Sequence, residues 1–324
     1  MKKINLTLSI CLLLASGMFA QADNEKNKKF EFVKNKSISK SYNVASSDKL
    51  DIHNSFGSVE VHTWNKNEIK VDVAVEVSSN KAEFAEKLLD GITVTDDHRS
   101  GTIAFKTSIS NSNNSKNTKS TMSINYSIYM PAGNPLAVSN EFGATVIPDY
   151  TGEVDLSSKF GSLTTGALKN IKKIVVEFGK ANFESITNGA VNVKYSQAEF
   201  GKLVGNVKLN FEFCGATKIS MDNNLTALDL KASYSTVNIQ PLGNPSASYS
   251  IFTSFGSFKN TTSIKFDGDE KDDDKGPSFD KTYEGKSGTG SIPVKASTSF
   301  GKIILGEASE EDMKEKGKSK SKTT

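Results

Sequence analysis

The sequence contains very little cysteine, arginine or histidine, and each shortage argues against a class of function. Cys11 and Cys214 are the only cysteines in 324 residues, so there is no C-x-x-C motif for metal binding or redox chemistry. Arg99 is the only arginine, which argues against a dedicated phosphate or nucleic-acid site, because guanidinium groups are favoured there. The three histidines form no H-E-x-x-H motif, and no G-x-S-x-G nucleophile motif occurs.

Long apolar runs are confined to the start of the chain. Residues 1–22 have a lysine-rich start, an apolar core from Leu6 to Phe19, and Ala20-Gln21-Ala22 as a cleavage site, which is the pattern of a secretory signal peptide. The apolar core is too short to span a bilayer, and no later segment approaches 18 consecutive apolar residues. The sequence therefore predicts an exported chain without a membrane span. It would begin near Asp23, and cleavage after Ala20 is the alternative.

Export changes what the remaining composition implies. Removing the leader leaves Cys214 as the only cysteine, so the exported chain has no internal disulfide and must rely on its own core. The formal net charge of +3 falls by two with Lys2 and Lys3, and a nearly neutral chain argues against a nucleic-acid partner. Export is compatible with a periplasmic, cell-surface or extracellular location, and the sequence leaves these three open.

The chain is rich in one repeated dipeptide, an aromatic residue followed by a small one. From Phe142 onward the copies are separated by 18, 18, 17, 18, 21, 21 and 45 residues. Such a near-constant step is typical of stacked structural repeats. The aromatic positions, with an early copy first, are Phe56, Phe142, Phe160, Phe178, Tyr195, Phe213, Tyr234, Phe255 and Phe300.

The apolar pattern changes parity at each of these corners. Ile174, Val176 and Phe178 share one parity, whereas Ala181 and Phe183 share the other. A strand that keeps its apolar face on one core must bend between them. We therefore predict strand–corner–strand arcs in which the nine aromatic side chains form a structural ladder buried inside the bends.

The small residue after each aromatic is expected to be glycine because a tight corner needs positive φ and close backbone approach. Ser196, Cys214 and Ser235 are the substitutes at this position. This assigns Cys214 a structural position. The alternative, a reactive thiol, has no accompanying histidine or Asp/Asn pattern, and a free cysteine usually behaves as a small apolar residue.

The sequence divides into five predicted parts. Strands in the third part alternate clearly, and its one helix is predicted over residues 81–90 with Asn80 as the N-cap and Gly91 as the stop. The parts are a signal peptide (1–22), a flexible lead-in (23–36), an N-terminal β region with the helix (37–135), the repeats with an acidic insertion near 261–290 (136–306), and a disordered charged tail (307–324).

The predicted fold is all-β. The repeats favour a single-stranded parallel β-helix, or β-solenoid, with right-handed winding expected. Successive coils are spaced by ~4.8 Å along the axis. The antiparallel N-terminal region with its short helix would cover one exposed end of this solenoid, because open strand edges invite edge-to-edge association.

Two segments carry a resemblance to a known family. They are Leu50 to Val61 with Trp64, and Tyr126 to Pro131 leading into Leu136 to Gly143. They resemble the adhesin-like domains of exported bacterial β-helix proteins, which are built on repeated Phe-Gly-x-Val-x-Val arcs, and residues 283–305 resemble their closing segment. The resemblance implies a β-helix and an envelope or secreted location. It supplies no catalytic residues, and "adhesin" is itself a fold-level label.

Two candidate metal sites are weak. The acidic stretch Asp267 to Asp274 could bind Ca²⁺, but it lacks the ligand spacing of an EF-hand, and a solvated loop is the commoner outcome. His53 and His62 flank the Phe56 corner and both are predicted to point outward. No third ligand has a recognisable spacing, so surface positions are favoured over a metal pair. No metal or cofactor is therefore predicted.

A column of alternating charges precedes the corner aromatics in successive copies. Its members are Glu141, Lys159, Glu177, Lys194 and Glu212. Stacked arcs would bring opposite charges together, which favours cross-strand pairing of modest strength. The competing interpretation is a glycan-binding or catalytic strip.

The sequence predicts an exported non-enzymatic protein of the bacterial cell envelope with an adhesin-like interaction role or a structural role. Its partner would be a glycan, a cell-surface component or an envelope protein. The first alternative is a carbohydrate-active β-helix enzyme, which would use Asp269, Asp272 and Asp273 or the pair Glu177 and Glu212. The second is an envelope-stress or regulatory accessory protein.

Overall fold

A computed structural model describes residues 30–110, 117–267 and 279–313. The predicted signal peptide and Asp269, Asp272 and Asp273 lie outside the described residues. Within them the chain is all-β with a single helix, and its strands form one large mixed sheet. This agrees with the predicted fold class at the level of secondary structure.

The N-terminal part contains seven strands and the helix. They are β1 (Phe32–Asn43), β2 (Lys49–Ser55), β3 (Val59–Thr63), β4 (Glu68–Ser79), α1 (Ala82–Asp90), β5 (Ile92–Arg99), β6 (Thr102–Ile109) and β7 (Ser120–Met130).

The part that carries most of the repeats contains the other fourteen strands. They are β8 (Leu136–Glu141), β9 (Ala144–Ile147), β10 (Tyr150–Lys159), β11 (Ser162–Glu177), β12 (Lys180–Lys194), β13 (Gln197–Glu212), β14 (Ala216–Ser233), β15 (Thr236–Pro241), β16 (Ala247–Ser254), β17 (Ser257–Asn260), β18 (Phe266–Asp267), β19 (Asp280–Lys286), β20 (Ile292–Ser299) and β21 (Lys302–Leu305).

The repeats stack as two parallel columns of strand segments that meet at the corners. Segments that end at a corner aromatic pair in the order β2–β8–β10–β11–β12–β13–β14–β20–β16, and β6 pairs parallel with the outer edge of β2. Segments that follow the corner pair in the order β3–β9–β11–β12–β13–β14–β15–β21–β17, and β7 pairs parallel with the outer edge of β3. The long strands β11 to β14 belong to both columns, because each runs from one corner to the next.

The sheet is mixed because both ends carry antiparallel strands. At the N-terminal end β4 pairs antiparallel with β1 and β7, and β5 pairs antiparallel with β6. At the other end β19 pairs antiparallel with β16 and β18. The wholly regular parallel stacking is therefore confined to the middle of the chain.

The last arc does not stack in chain order. Strands β20 and β21 lie between β14–β15 on one side and β16–β17 on the other. Phe255 and Phe300 therefore lie in the stack in the reverse of their order in the chain. The last arc gains two parallel neighbours in this position, so its backbone is hydrogen-bonded on both sides.

The core is a continuous apolar interior enclosed by the two columns. Val176, Val193 and Phe211 occupy equivalent inward positions in successive repeats and are all buried. Phe183 and Phe200 stack inside the core with ring centroids 4.7 Å apart. Burying a side chain of this kind contributes about 1.5–3 kcal/mol.

Helix α1 forms as predicted but is capped differently. Gly91 ends it, as the sequence indicates, whereas the N-cap is Lys81 and makes no side-chain capping hydrogen bond. Asn80 instead donates its side-chain amide to the carbonyl oxygen of Asn117 at 3.0 Å. The ammonium of Lys36 donates to the carbonyl oxygen of Leu89 at 2.9 Å, which satisfies one of the free carbonyls at the helix end.

Two terminal predictions need correction. The flexible lead-in predicted over residues 23–36 extends too far, because β1 begins at Phe32 and pairs with β4 along its whole length. The disordered tail predicted over residues 307–324 begins too early, because Asp312 fixes residues 307–313 to the sheet by contacts with Lys259 and Lys302. Residues 314–324 lie outside the described part.

Candidate functional site: an external aromatic ladder

Every corner aromatic adopts the left-handed backbone conformation. Their φ angles lie between 49° and 61°, and Phe178 has a φ of 55°. The glycine that follows, for example Gly179, is not among the positive-φ residues. The expectation that glycine supplies the positive φ at the corner is therefore wrong. The aromatic residue makes the turn itself.

This conformation places the rings outside the core. The nine predicted ladder residues are between 39% and 54% exposed, so the prediction that they are buried inside the bends is wrong. Extended residues alternate between the two faces of a sheet, and a left-handed residue interrupts that alternation. The strands on either side keep their apolar residues inward, while the ring at the corner is directed to solvent.

The rings stack on one another along the whole row of corners. Neighbouring centroids are 4.6 to 5.1 Å apart, and the angles between neighbouring ring planes are 2° to 14°. We call this row the aromatic ladder. In spatial order its ten rings are Phe56, Phe142, Phe160, Phe178, Tyr195, Phe213, Tyr234, Phe300, Phe255 and Phe279.

The sequence pattern missed Phe279, because Asp280 rather than a small residue follows it. Its ring lies 4.6 Å from that of Phe255 and closes the row. Its backbone carbonyl also accepts a hydrogen bond from the amide of Phe255, at 3.0 Å. The described ladder therefore extends one ring beyond the nine predicted positions.

Stacking explains why these corners use aromatic residues. Left-handed backbone conformation costs a residue with a Cβ ~1–2 kcal/mol. A stacked aromatic pair contributes ~0.5–1.5 kcal/mol beyond area burial, and a ring inside the ladder, such as Phe178, has two such neighbours. The two effects are of similar size, so the ladder offsets the strain that the corners create.

The glycines beside the ladder are required by close approach of neighbouring repeats. A Cβ at Gly143 would lie 1.8 Å from the carbonyl oxygen of Gly57, and one at Gly161 would lie 1.9 Å from that of Gly143. A Cβ at Gly179 would meet the oxygen of Gly161 at 2.1 Å. The peptide groups of successive corners thus stack directly on one another, with no room for a side chain.

The three corners without glycine use their side chains as backbone partners. The hydroxyl of Ser196 accepts a hydrogen bond from the amide of Gly179 at 3.0 Å, and the hydroxyl of Ser235 accepts one from the amide of Cys214 at 2.9 Å. The thiol of Cys214 lies 3.2 Å from the carbonyl oxygen of Val193 and is buried. The structure thus places Cys214 in a structural position.

The Cys214 thiol is expected to resist modification in the folded protein. Burial raises its pKa above the usual value, and only the thiolate is an effective nucleophile. Residues 23–324, which lack Cys11, should therefore show no fast-reacting thiol at pH 8 and one in denaturant, measured with a chromogenic disulfide reagent. An Asn65→Cys variant, at an exposed position, is the control and should react at once. Rapid labelling of Cys214 in the folded chain would contradict its buried placement.

The charged column lies beside the ladder as the sequence predicts. Lys159 pairs with Glu177 at 3.1 Å and Lys194 pairs with Glu212 at 2.9 Å, each across neighbouring repeats. Hydrogen bonds from Lys194 and then Asn210 lower the pKa of the Glu212 carboxyl. The Glu212 carboxyl is therefore held in the ionised form.

On its other side the ladder borders a shallow groove. Its floor is backbone, formed by Gly161, Gly179 and their counterparts, and its far wall carries the polar side chains of Lys180 and Gln197. The groove is open to solvent along its length, so its one steep wall consists of ring edges.

The histidines do not form a site. His53 contacts Asp51 at 3.2 Å, and His62 contacts Glu60 at 3.6 Å and stacks on the Tyr129 ring at 4.8 Å. Each histidine thus has its own local partner. Within the described ranges no group of three or more His, Cys, Asp or Glu side chains is arranged to hold a metal ion.

Asp312 fastens the described end of the chain across two repeats. Its side chain is 8% exposed and contacts Lys259 at 2.6 Å and Lys302 at 2.5 Å, and the hydroxyl of Ser309 donates to it at 2.8 Å. Lys259, then Lys302 and Ser309, hold the pKa of this carboxyl well below its usual range. The charged form is therefore the one that docks.

The attachment of residues 307–313 is expected to weaken in acid. A carboxyl whose pKa is lowered in the docked state stabilises docking above its free pKa, about 3.9 for Asp, and loses that contribution as the pH falls further. Amide hydrogen exchange in this segment should accelerate as the pH falls below about 4, relative to intrinsic rates. Asp312→Asn should show the faster exchange already at pH 7, whereas Glu310→Gln, at an exposed neighbour, should not. Exchange that is the same in both variants would contradict this role.

Comparisons with known proteins give distant structural likenesses. No family model and no curated protein matches the chain. A candidate cell adhesion protein from Clostridium sporogenes is 12% identical with a TM-score of 0.26, covering 85% of this chain and 100% of that one. A candidate adhesin from Bacteroides fragilis is 12% identical with a TM-score of 0.39, covering 83% and 97%. A candidate lipid-binding protein from Parabacteroides distasonis is 10% identical with a TM-score of 0.33, covering 84% and 97%.

These TM-scores are too low for the likenesses to bear on function. The described residues also contain no helix with the length and apolar character needed to cross a bilayer.

Proposed function

We propose that the chain is an exported, non-enzymatic β-solenoid of the bacterial cell envelope that acts through surface contact, in an adhesin-like or structural role. The observation that carries the proposal is the exposure of the aromatic ladder. Ten half-exposed rings at ~150–250 Å² each leave roughly 1,000 Å² of contiguous apolar surface. The largest apolar patch on a typical monomer is ~300–600 Å², and larger ones mark interaction sites.

The solenoid part of the proposal is supported by the two columns of parallel strands. Leu163 pairs with Thr145 of the preceding arc and with Ala181 of the following one, and this pattern continues through β14. Consecutive arcs of 17 to 21 residues that pair in this way are what a coil of parallel strands requires. The leader predicted over residues 1–22 supports export.

The charges beside the ladder suit pairing better than catalysis. A glycosidase needs a carboxylic acid with a raised pKa, whereas the pKa of Glu212 is lowered by Lys194. Each of the two carboxylates is also engaged by a lysine of the neighbouring repeat, Glu177 by Lys159 at 3.1 Å and Glu212 by Lys194 at 2.9 Å. The carbohydrate-active alternative therefore has no support from this pair.

The ladder favours contact along its edge over stacking on a sugar face. Aromatic platforms that bind sugars or bases use an open ring face. Here both faces of an internal ring such as Phe178 are covered by Phe160 and Tyr195. Only ring edges reach solvent, so the exposed surface is a narrow apolar ridge. Such a ridge suits a partner whose own surface carries a long, narrow apolar strip.

The proposal is tested by binding of purified residues 23–324 to envelope material. Isolated cell walls, outer-surface fractions and a glycan array are the probes, and retained protein is measured. The variant Phe160→Asn with Phe178→Asn removes ladder rings while keeping residues that tolerate positive φ. Phe252→Asn is the matched control, because Phe252 is 40% exposed but lies outside the ladder.

Retention of the unaltered protein and of Phe252→Asn, with loss in the ladder variant, would support the proposal. Equal retention of all three proteins would show that the ladder is not the contact surface. Release of sugar from any polysaccharide by the purified chain would overturn the non-enzymatic part.

A further inference from the structure

We propose that the aromatic ladder binds the aromatic ladder of a second copy of this chain, in an antiparallel dimer with two-fold symmetry. This rests on the proposed function in one respect, that the ladder is a contact surface, and it names the partner. A closed two-fold dimer uses the same patch on both subunits, so the patch must be complementary to itself when reversed.

Neighbouring rings of the ladder keep nearly the same orientation of their planes. These planes deviate by only 2° in the middle, between Phe178 and Tyr195, and by 14° at the end, between Phe255 and Phe279. Nine steps at ~4.8 Å give a ridge roughly 43 Å long.

The area of the ladder is what a stable dimer needs. Its exposed rings provide roughly 1,000 Å² per copy at half of ~200 Å² each. A specific interface buries ~800 Å² per partner and concentrates aromatic residues at its centre. The ladder therefore supplies a full-sized interface without any other part of the surface.

The charges beside the ladder complement each other in one antiparallel register. The midpoint of the ten rings lies between Tyr195 and Phe213. A two-fold axis through this midpoint sets Lys194 of each copy against the partner's Glu212. These residues already pair within one chain at 2.9 Å, so the dimer would join four alternating charges around the axis.

No like charges meet elsewhere in that register. On the charged side, the other three members of the column oppose serines: Glu141 faces the partner's Ser254, Lys159 faces the partner's Ser299, and Glu177 faces the partner's Ser233.

On the opposite side of the ladder the lysines also meet neutral residues. Lys180 faces the partner's Thr236 and Lys302 faces the partner's Ser162. At the axis Gln197 faces the partner's Ala216.

A shift of one ring in either direction would lose this match. It would set Lys194 against the partner's Lys194, or Glu212 against the partner's Glu212. Like charges directly opposed across an interface are unfavourable and select against the wrong register. The alternation of charges therefore disfavours a shift of one ring. A shift of two rings in one direction would again oppose unlike charges, but it would leave two rings of each ladder uncovered, so charge alternation and ring burial together favour the fully overlapped arrangement.

Charge reversal tests the partner and the register together. Residues 23–324 are expected to form dimers whose dissociation constant, from sedimentation velocity over a concentration series, rises at least tenfold in Lys194→Glu and in Glu212→Lys. Each single change places like charges together at the axis. The double variant Lys194→Glu with Glu212→Lys again places opposite charges together at the axis and should restore dimerisation.

A matched control separates the dimer from the ion pair itself. Lys172→Glu breaks a similar pair with Asp155, at 3.6 Å, that is not part of the charged column. It should leave the dissociation constant unchanged. Thermal unfolding of the single variants at low concentration shows that each monomer remains folded, as expected for surface pairs worth ~0–1 kcal/mol.

Cysteine crosslinking tests the antiparallel orientation. In a Cys214→Ser background, Lys194→Cys places two thiols about one strand spacing apart, ~5 Å, across the axis. Ser254→Cys places them seven spacings apart, ~34 Å. A short bifunctional maleimide should therefore link the first variant and leave the second unlinked.

The outcomes distinguish this inference from the proposed function. A chain that is monomeric at all concentrations, or a dimer that the ladder variant Phe160→Asn with Phe178→Asn does not weaken, would overturn the dimer. Envelope binding lost in that same ladder variant would still support the proposed function. Crosslinking at Ser254 in place of Lys194 would overturn the antiparallel register.

Discussion

Replacing Gly143 by alanine is expected to lower the free energy of unfolding by about 3 kcal/mol or more, at the upper end of the cost of overpacking. The added Cβ would lie 1.8 Å from the carbonyl oxygen of Gly57 and 2.5 Å from its carbon. Both atoms belong to the backbone, so no side chain can rotate away. The two arcs would have to separate, which would also disturb the stacking of Phe56 on Phe142. Urea unfolding followed by circular dichroism measures the effect.

Gly133→Ala is the matched control for this change. A Cβ there would have Thr151 as its nearest neighbour at 3.9 Å, and Gly133 does not have a positive φ. Its substitution should change the free energy of unfolding by less than about 0.5 kcal/mol, as surface changes usually do. A Gly143→Ala protein as stable as Gly133→Ala would show that the corner peptides do not stack as closely as the structure places them.

The corner dipeptides show which structural features the sequence predicts and which it does not. Their spacing predicts stacked arcs, and the change of parity at Phe178 correctly places Ala181 and Phe183 in the core. The pattern does not say which residue of the pair turns. Glycine is the usual choice for positive φ, so the sequence assigns that role to Gly179, whereas Phe178 has it. Stacking between distant residues decides the outcome, and no local pattern records it.

The order of the last arcs could not be predicted for a similar reason. The step of 45 residues before Phe300 indicates an insertion, but an arc of the same composition fits equally well beyond Phe255 or before it. The choice depends on where the connecting segment carries the chain. Strand β19 pairs antiparallel with one edge of β16, and β20 pairs parallel with the opposite edge. The position between Tyr234 and Phe255 is then filled by the last arc.

The sequence pattern identifies nine of the ten ladder residues, but it assigns them to the core and not to an exposed surface. Strict alternation within each strand gives the two faces of the sheet, and this correctly assigns Phe200 to the core. A single left-handed residue interrupts alternation, and its own side chain then follows neither face. The exposed ladder, the surface on which both proposals rest, therefore appears only when the backbone is known.

Phe200→Ala is expected to lower the free energy of unfolding by about 3–5 kcal/mol, as for other large-to-small changes at buried aromatic residues. The Phe200 side chain is 1% exposed. It stacks on Phe183 at 4.7 Å and meets Phe211 edge to face at 5.9 Å. Its removal would leave a cavity between the rings of Phe183 on β12 and Phe211 on β13. Neighbouring backbone cannot collapse into this cavity without breaking strand pairing. Urea unfolding at a concentration where the chain is monomeric gives the free energy of unfolding without a contribution from dimer formation.

Phe178→Asn is the comparison that tests which aromatic residues are inside. Phe178 is 48% exposed, and its loss removes two ring contacts, with Phe160 and Tyr195. Two stacked pairs at ~0.5–1.5 kcal/mol each would be lost. Asparagine tolerates the left-handed conformation better than phenylalanine, so part of the ~1–2 kcal/mol backbone strain at this position would be relieved and would offset part of the loss. The net cost should be about 1–2 kcal/mol, clearly below that of Phe200→Ala. If Phe178→Asn were the more damaging of the two, the ladder would be part of the core, and its rings would not be available to a partner.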